Sequence, residues 1–456
     1  MTEWFEAEDH ASRALDMFER GRWAEAEVEL RMALAVNPDQ PEWLYNLGIV
    51  LEYSGRDRQA RDVFERAAAL APDQVEVVTS AAIACARLGD SDRALKWCDR
   101  ALKVDPRNED AHARRIEMLV GQGRHDEAET AFYLAEMAMD EPSPLCLLEI
   151  AVSLITRGQY RRAGWCLREA MRMEPGLPRI RLRLAEVHAS TGRLDRAIQL
   201  CSREVREDPG NVEALAIYAG LLEAADRRVE ATDMLRRVID FDPANVNAHE
   251  SLGHLLARMG RHEQALLELQ IVRKLDPGHP GVDLALGEVE VRLGRPDAAR
   301  LSLLRAYERC CDQIGQVGAD PMELAHVAAM LLKVGLAEEA VVLLEAASET
   351  RTTDVDLMKL LARARYQSGD CRGGMAMSRA VLRLEAGCLA SIHNLALGAL
   401  HRGRLRIAAA WVRRGLHLDP GDEGLRRIRL RLWLARVTRL GGRSSAWAQR
   451  WLQGQG

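Results

Sequence analysis

The chain has 456 residues, 48% hydrophobic and 29% charged, with 5% aromatic residues and a formal net charge of −5. This is the composition of an ordinary folded protein, and no uncharged apolar run approaches the roughly 18 residues that cross a bilayer. The amino terminus, MTEWFEAEDH, is acidic and lacks the basic start and apolar core of a secretory signal, so the expected compartment is the cytoplasm.

In chain order, one unit recurs from Ala7 to Asp422: two short helices, a glycine between them and, in most copies, a proline after them. The inter-helix glycines are Gly21, Gly55, Gly89, Gly123, Gly158, Gly192, Gly260, Gly294, Gly335, Gly369 and Gly403, with Asp226 in the one slot that lacks glycine. Successive spacings are 34 residues, apart from one of 35 and one of 41. A residue just past a helix adopts the left-handed conformation, which glycine tolerates best and aspartate tolerates better than most. Five residues after each turn the chain is always small, as at Ala60, Ala197, Ala265 and Gly374. Seven residues before it the chain is small again, as at Gly48, Ala185 and Gly253, with Ile116 the exception. Paired small residues allow two antiparallel helices to approach closely. Larger apolar residues surround them at helical spacing, such as Leu47, Leu51 and Phe64. Prolines at 38, 72, 106, 175, 209, 243, 277 and 420 close the second helices.

The best-formed copy, PEWLYNLGIVLEYSGRDRQARDVFERAAALAPDQ at 41–74, resembles the tetratricopeptide repeat. Leu44, Leu47, Gly48, Leu51, Gly55, Ala60, Phe64, Ala67 and Pro72 fall where that family places its signature residues. The resemblance implies an all-α, right-handed superhelical solenoid of about twelve antiparallel helix pairs, ended by a carboxy-terminal capping helix. The expected organisation is repeats 1 to 9 over 1–308, an insertion at 309–320 (RCCDQIGQVGAD), degenerate repeats 10 to 12 over 321–422, a capping helix at 423–440 and a basic tail containing Trp at 441–456. His10 and Arg13 stand where later repeats carry apolar residues, as a wet first repeat requires.

Catalytic signatures fail on geometry. None of the five lysines follows a glycine, so no phosphate-cradling GxxxxGK loop exists, and no GxSxG elbow is present. His249 and His254 are five residues apart, a turn of about 140° that points them away from each other. No catalytic, cofactor-binding or metal-binding residue is assigned, and no cofactor is expected. The nine cysteines follow no CxxC spacing; Cys98 and Cys201 occupy the Phe64 slot and read as small core residues, whereas the vicinal Cys310 and Cys311 lie at the edge of the insertion.

In the family that the chain resembles, the first helices line a concave groove that holds extended peptides or partner helices. Carried over slot by slot, that groove comprises Glu42, Tyr45, Asn46, Ile49, Tyr53, Arg87, Glu117, His254, Arg258, Arg292, Lys333, Lys359, Tyr366 and Asn394. Two better-defined family modes are missing: Ile49, Ile83, Val152 and His254 fill the asparagine slots of a carboxylate clamp, and an asparagine ladder at the Asn46 slot is interrupted by residues such as Arg114, Glu149 and Arg183. The groove slots turn from acidic near the start (Glu8, Glu42, Glu76, Asp110) to basic later (Arg258, Arg292, Lys333, Lys359).

The expected function is a non-catalytic protein–protein scaffold or adaptor that binds an extended peptide or helix in this groove. One alternative is a binder of anionic surfaces, membrane or nucleic acid, through the 423–456 segment, which holds eight Arg, one acidic residue and Trp433, Trp447 and Trp451. The pI near 6.2 argues against nucleic acid. The other alternative is a regulatory array for a separately encoded enzyme.

Overall fold

The computed structural model describes residues 2–314, 320–350 and 354–440, and among them every regular element is an α-helix. The chain forms two compact units, Met1–Arg227 and Arg228–Gly456. The first holds α1 (Thr2–Glu19), α2 (Trp23–Val36), α3 (Pro41–Tyr53), α4 (Asp57–Leu70), α5 (Val75–Arg87), α6 (Ser91–Val104), α7 (Glu109–Gly121), α8 (His125–Ala138), α9 (Pro144–Thr156), α10 (Tyr160–Met173), α11 (Ile180–Ser190), α12 (Leu194–Glu207) and α13 (Val212–Ala224). The second holds α14 (Arg228–Phe241), α15 (Val246–Arg258), α16 (His262–Leu275), α17 (Val282–Arg292), α18 (Pro296–Gln313), α19 (Pro321–Val334), α20 (Ala337–Thr350), α21 (Val355–Gln367), α22 (Cys371–Leu384), α23 (Leu389–His401), α24 (Leu405–Leu418) and α25 (Glu423–Leu440).

Within each unit every helix packs on the next, so each unit is a solenoid of helical repeats. First helices of neighbouring repeats also touch, from α5 through α13 and from α15 through α25, whereas among second helices only α18 and α20 do so appreciably. The first helices therefore form the inner layer of each stack.

Local chemistry explains the repeat. Gly55 sits at φ +70° and Asp226 at φ +58°, the left-handed geometry that the turn slot requires. Ala60, Ala94, Ala197 and Ala265 are at most 1% exposed, as small residues between closely packed helices are. At loops of sequence Asp-Pro, the aspartate accepts a hydrogen bond from the backbone N–H two residues on, as Asp105 does from Arg107 (2.9 Å) and Asp276 from Gly278 (3.0 Å). Asn108, Asn211 and Asn245 then cap the following helix by accepting from the N–H three residues on. His112 and His249 occupy one slot and bond the carbonyls of Pro106 and Pro243, which fixes the loop against the helix.

The first repeat ends the stack with charge: Glu29 meets His10 at 2.6 Å and Arg13 at 3.2 Å. At the other end α25 buries Leu425, Ile428 and Leu432 against α23 and α24 while Arg426, Arg427 and Arg429 remain exposed, as a capping helix does.

The residues expected as an insertion, 309–320, begin inside a helix. Residues 309–313 continue α18, Cys310 is buried in the core, and Arg309 bonds the buried carboxylate of Asp283 at 2.9 Å. The extra residues thus begin as added helix because an apolar face and a buried charge hold them; 315–319 lie outside the described residues. The tail at 441–456 also lies outside them.

Candidate functional site

The first unit contains an open cleft of about 620 Å³ lined by Tyr45, Ile49, Glu52, Tyr53, Phe64, Ser80, Ile83 and Arg87. It spans α3, α4 and α5. Of the residues expected in the groove, it brings together Tyr45, Ile49, Tyr53 and Arg87. Asn46 lies beside it, lining a smaller recess of about 50 Å³ with Leu15, Phe18 and Ile49. Glu42 is exposed on the same helix.

Aromatic packing fixes the shape of this cleft. Tyr53 is 64% exposed, yet its ring stacks on Trp23 with centroids 4.9 Å apart and 13° between planes. Phe18 meets both rings edge-on, at 4.9 Å from Trp23 and 5.5 Å from Tyr53. Tyr45 leans on Phe64 at 5.8 Å. A large apolar face is therefore presented to solvent in a set orientation, with little side-chain entropy left to lose on binding. Arg87 bonds Glu52 across adjacent repeats and supplies a charged rim. Sequence reasoning missed Phe18 and Trp23, because they reach Tyr53 from the preceding repeat. Their signal was two aromatic residues flanking the turn at Gly21.

Farther along the first unit, the inner layer becomes ionic. Arg114 bonds Glu117, Arg183 bonds Glu186 at 2.6 Å, and Glu149 lies between these repeats, 7% exposed. Burial, reinforced by the charge of Glu117 and opposed by Arg114, Arg179 and Arg183, pushes the Glu149 carboxyl up to about 7. Burial also raises Glu186.

In the second unit His254, Arg258, Arg292 and Lys333 are exposed, each on a first helix, and Asn394 is half-buried on α23. Two expected groove residues make close contacts within the chain. Lys359 is tied to Glu385 at 2.7 Å and Asp356 at 3.3 Å. Tyr366 packs into the space left by Gly374 and Gly398: Cβ atoms at those glycines would lie 2.8 Å and 3.1 Å from its ring, so the absence of two side chains draws the ring inward.

Burial raises Cys98 and Cys201 to about 12 and Cys310 to about 11, which keeps these thiols protonated and poor nucleophiles. His249 is buried against Glu268 (2.7 Å), whereas His254 is exposed. Among the described residues no helix is long and apolar enough to cross a membrane.

A family model described as tetratricopeptide repeat matches residues 12–75, 49–106, 79–144, 148–212 and 250–313, which together exceed half of the chain. A 106-residue stretch, 23% of this chain, is 30% identical to the Schizosaccharomyces pombe protein named anaphase-promoting complex subunit 3, of which it covers 16%. Another, 27% of this chain, is 27% identical over 123 residues to the Arabidopsis thaliana protein named CTR9 homolog and covers 11% of it. The matched regions thus span less than a fifth of either curated relative. Among solved structures, one described as the APC/C hetero-tetramer Cut9-Hcn1 aligns over 92% of this chain and 95% of its own at 13% identity, with a TM-score of 0.38.

Proposed function

We propose, from the premise that this chain belongs to the tetratricopeptide repeat family, that it is a non-catalytic protein–protein interaction scaffold. Its inner layer of first helices holds an extended peptide or a partner helix. The observation that carries this reading is the cleft of α3 to α5, where Tyr53 is 64% exposed yet held by its stack on Trp23. An exposed tyrosine held by its ring stack, beside the apolar recess at Leu15, Phe18 and Ile49 and an Arg87–Glu52 rim, has the makeup of an interface anchor. A partner side chain seated against Tyr45, Ile49 and Ile83 gains apolar burial, while Arg87 and Glu52 fix its polar neighbours.

Charge adds a selection within each unit. The exposed Glu8, Glu42, Glu76 and Asp110 of the first unit favour basic partner segments. The exposed Arg258, Arg292 and Lys333 of the second favour acidic ones.

The test replaces Tyr53 with a photo-reactive phenylalanine analogue in the full chain and irradiates it in extract from the source cells. Cross-links concentrated in one short segment of a partner, and lost when Tyr45→Ala and Ile83→Asp are added, are expected. Cross-links that persist unchanged in that variant would overturn the reading.

A further inference from the structure

The far end of the second unit carries a second, differently built cleft. It lies between α24 and α25, measures about 870 Å³, and is walled by Arg406 and Arg413 on one side and Arg429 and Arg436 on the other. Val412, Leu416, Leu432 and Trp433 supply its apolar lining, His417 also lines it, and no acidic residue does.

Its position in the repeat pattern is informative. The residues of α23 that lie 34 positions before Arg426, Arg429, Leu430 and Trp433 are Ile392, Leu395, Ala396 and Ala399, all buried, on the helix that pairs with α24. On α25 the equivalent face is open: Leu430 is 48% and Trp433 59% exposed, and both arginines are exposed.

We propose that this cleft seats an acidic amphipathic helix of a partner protein, laid along α25 where each earlier repeat lays its own second helix. The apolar lining matches the stripe of such a helix, and four guanidinium groups along the walls match carboxylates on its flanks. The chain's own residues 441–456 are poorly matched, since they hold Arg443 and Arg450 and no acidic residue. This interface is separate from the cleft at Tyr53, so either can fail without the other.

The probe is a synthetic helix of about 18 residues, five turns, with Leu at helical spacing and Glu on both flanks. Its controls are a scrambled peptide of the same composition, a Lys-for-Glu peptide, and vesicles of phosphatidylserine and phosphatidylcholine. The full-length protein is expected to bind the ordered acidic helix at least about tenfold more tightly than the scramble. The Lys-for-Glu peptide is expected not to bind. Combined Arg413→Glu, Arg429→Glu and Arg436→Glu substitutions are expected to abolish the preference. Equal affinity for ordered and scrambled peptides, or binding to the vesicles alone, would overturn the proposal. So would a rise in peptide affinity on replacing Trp447 and Trp451 by Ala, which would make the tail the occupant. If the triple variant fails to fold, the three peptides on the unaltered chain still decide the matter.

Discussion

A Cβ atom built on Gly48 falls 2.5 Å from Cε1 of Phe64, closer than any two such atoms rest. The same relation recurs at Gly253 with Leu269 (2.9 Å) and at Gly287 with Leu303 (2.6 Å). A large residue on the second helix uses the space of a missing side chain on the first. Gly48→Ala is therefore expected to lower stability by about 1–2 kcal/mol, overpacking outweighing the gain in helix propensity of about 1 kcal/mol. Phe64→Leu added to it should restore part of the loss. Ala197→Leu, at a fully buried small slot, should cost about 1–3 kcal/mol. Urea midpoints of the single and double variants check all three.

Asp283 is 3% exposed and is neutralised by Arg309 across a 2.9 Å contact. Arg309→Ala leaves a buried carboxylate without its partner, an expected loss of about 3 kcal/mol or more. Replacing both residues by Ala should destabilise less than Arg309→Ala alone. Thermal melting of the two variants measures the difference; equal losses would mean that the pair is solvent-screened.

Glu149 gives a pH dependence with a definite sign. Its carboxyl rises from an ordinary value of 4.5 to about 7 in the folded protein, so between these values the folded chain keeps a proton that the unfolded chain has lost. Stability from this group is present below about pH 4.5 and falls as pH rises toward 7, by up to about 3 kcal/mol. Glu149→Gln removes the titration. The variant should match the natural chain near pH 4 and exceed it in stability at pH 8. A parallel pair of stability–pH curves would show that Glu149 ionises as it does in water.

Much of this fold was legible in sequence because each repeat imposes a local demand that few residues meet. Gly55 and Asp226 announce a left-handed turn, and the small residue at Ala60 announces a close helix crossing. What slot arithmetic could not supply was the identity of the atoms opposite a given slot. Tyr366 reads as a groove residue by position, and the room that Gly374 and Gly398 leave for its ring is seen only in the structure. The 41-residue spacing showed that residues had been added, but the contact of Arg309 with Asp283, 26 positions earlier, is seen only in the structure. In the candidate site, Tyr45, Ile49, Tyr53 and Arg87 followed from position, whereas Phe18 and Trp23 enter only through packing between repeats.

The basic inner face of the second unit should act on association rate. Arg292→Glu with Lys333→Glu, both exposed, should slow binding of an acidic partner segment and flatten its salt dependence, with little change in melting temperature. Stopped-flow association at several salt concentrations is the measurement.

The cleft at Tyr53 is tested most directly by calorimetric titration of the partner segment that cross-links there, made as a synthetic peptide. It is titrated into the natural chain, into a Tyr45→Ala, Tyr53→Ala, Arg87→Glu variant, and into a control with the exposed second-helix changes Arg58→Glu and Lys103→Glu. Loss of about 2 kcal/mol or more in the first variant, some thirtyfold in affinity, with the control unchanged, is the expected result. Equal affinity for all three proteins would contradict an inner-layer binding site.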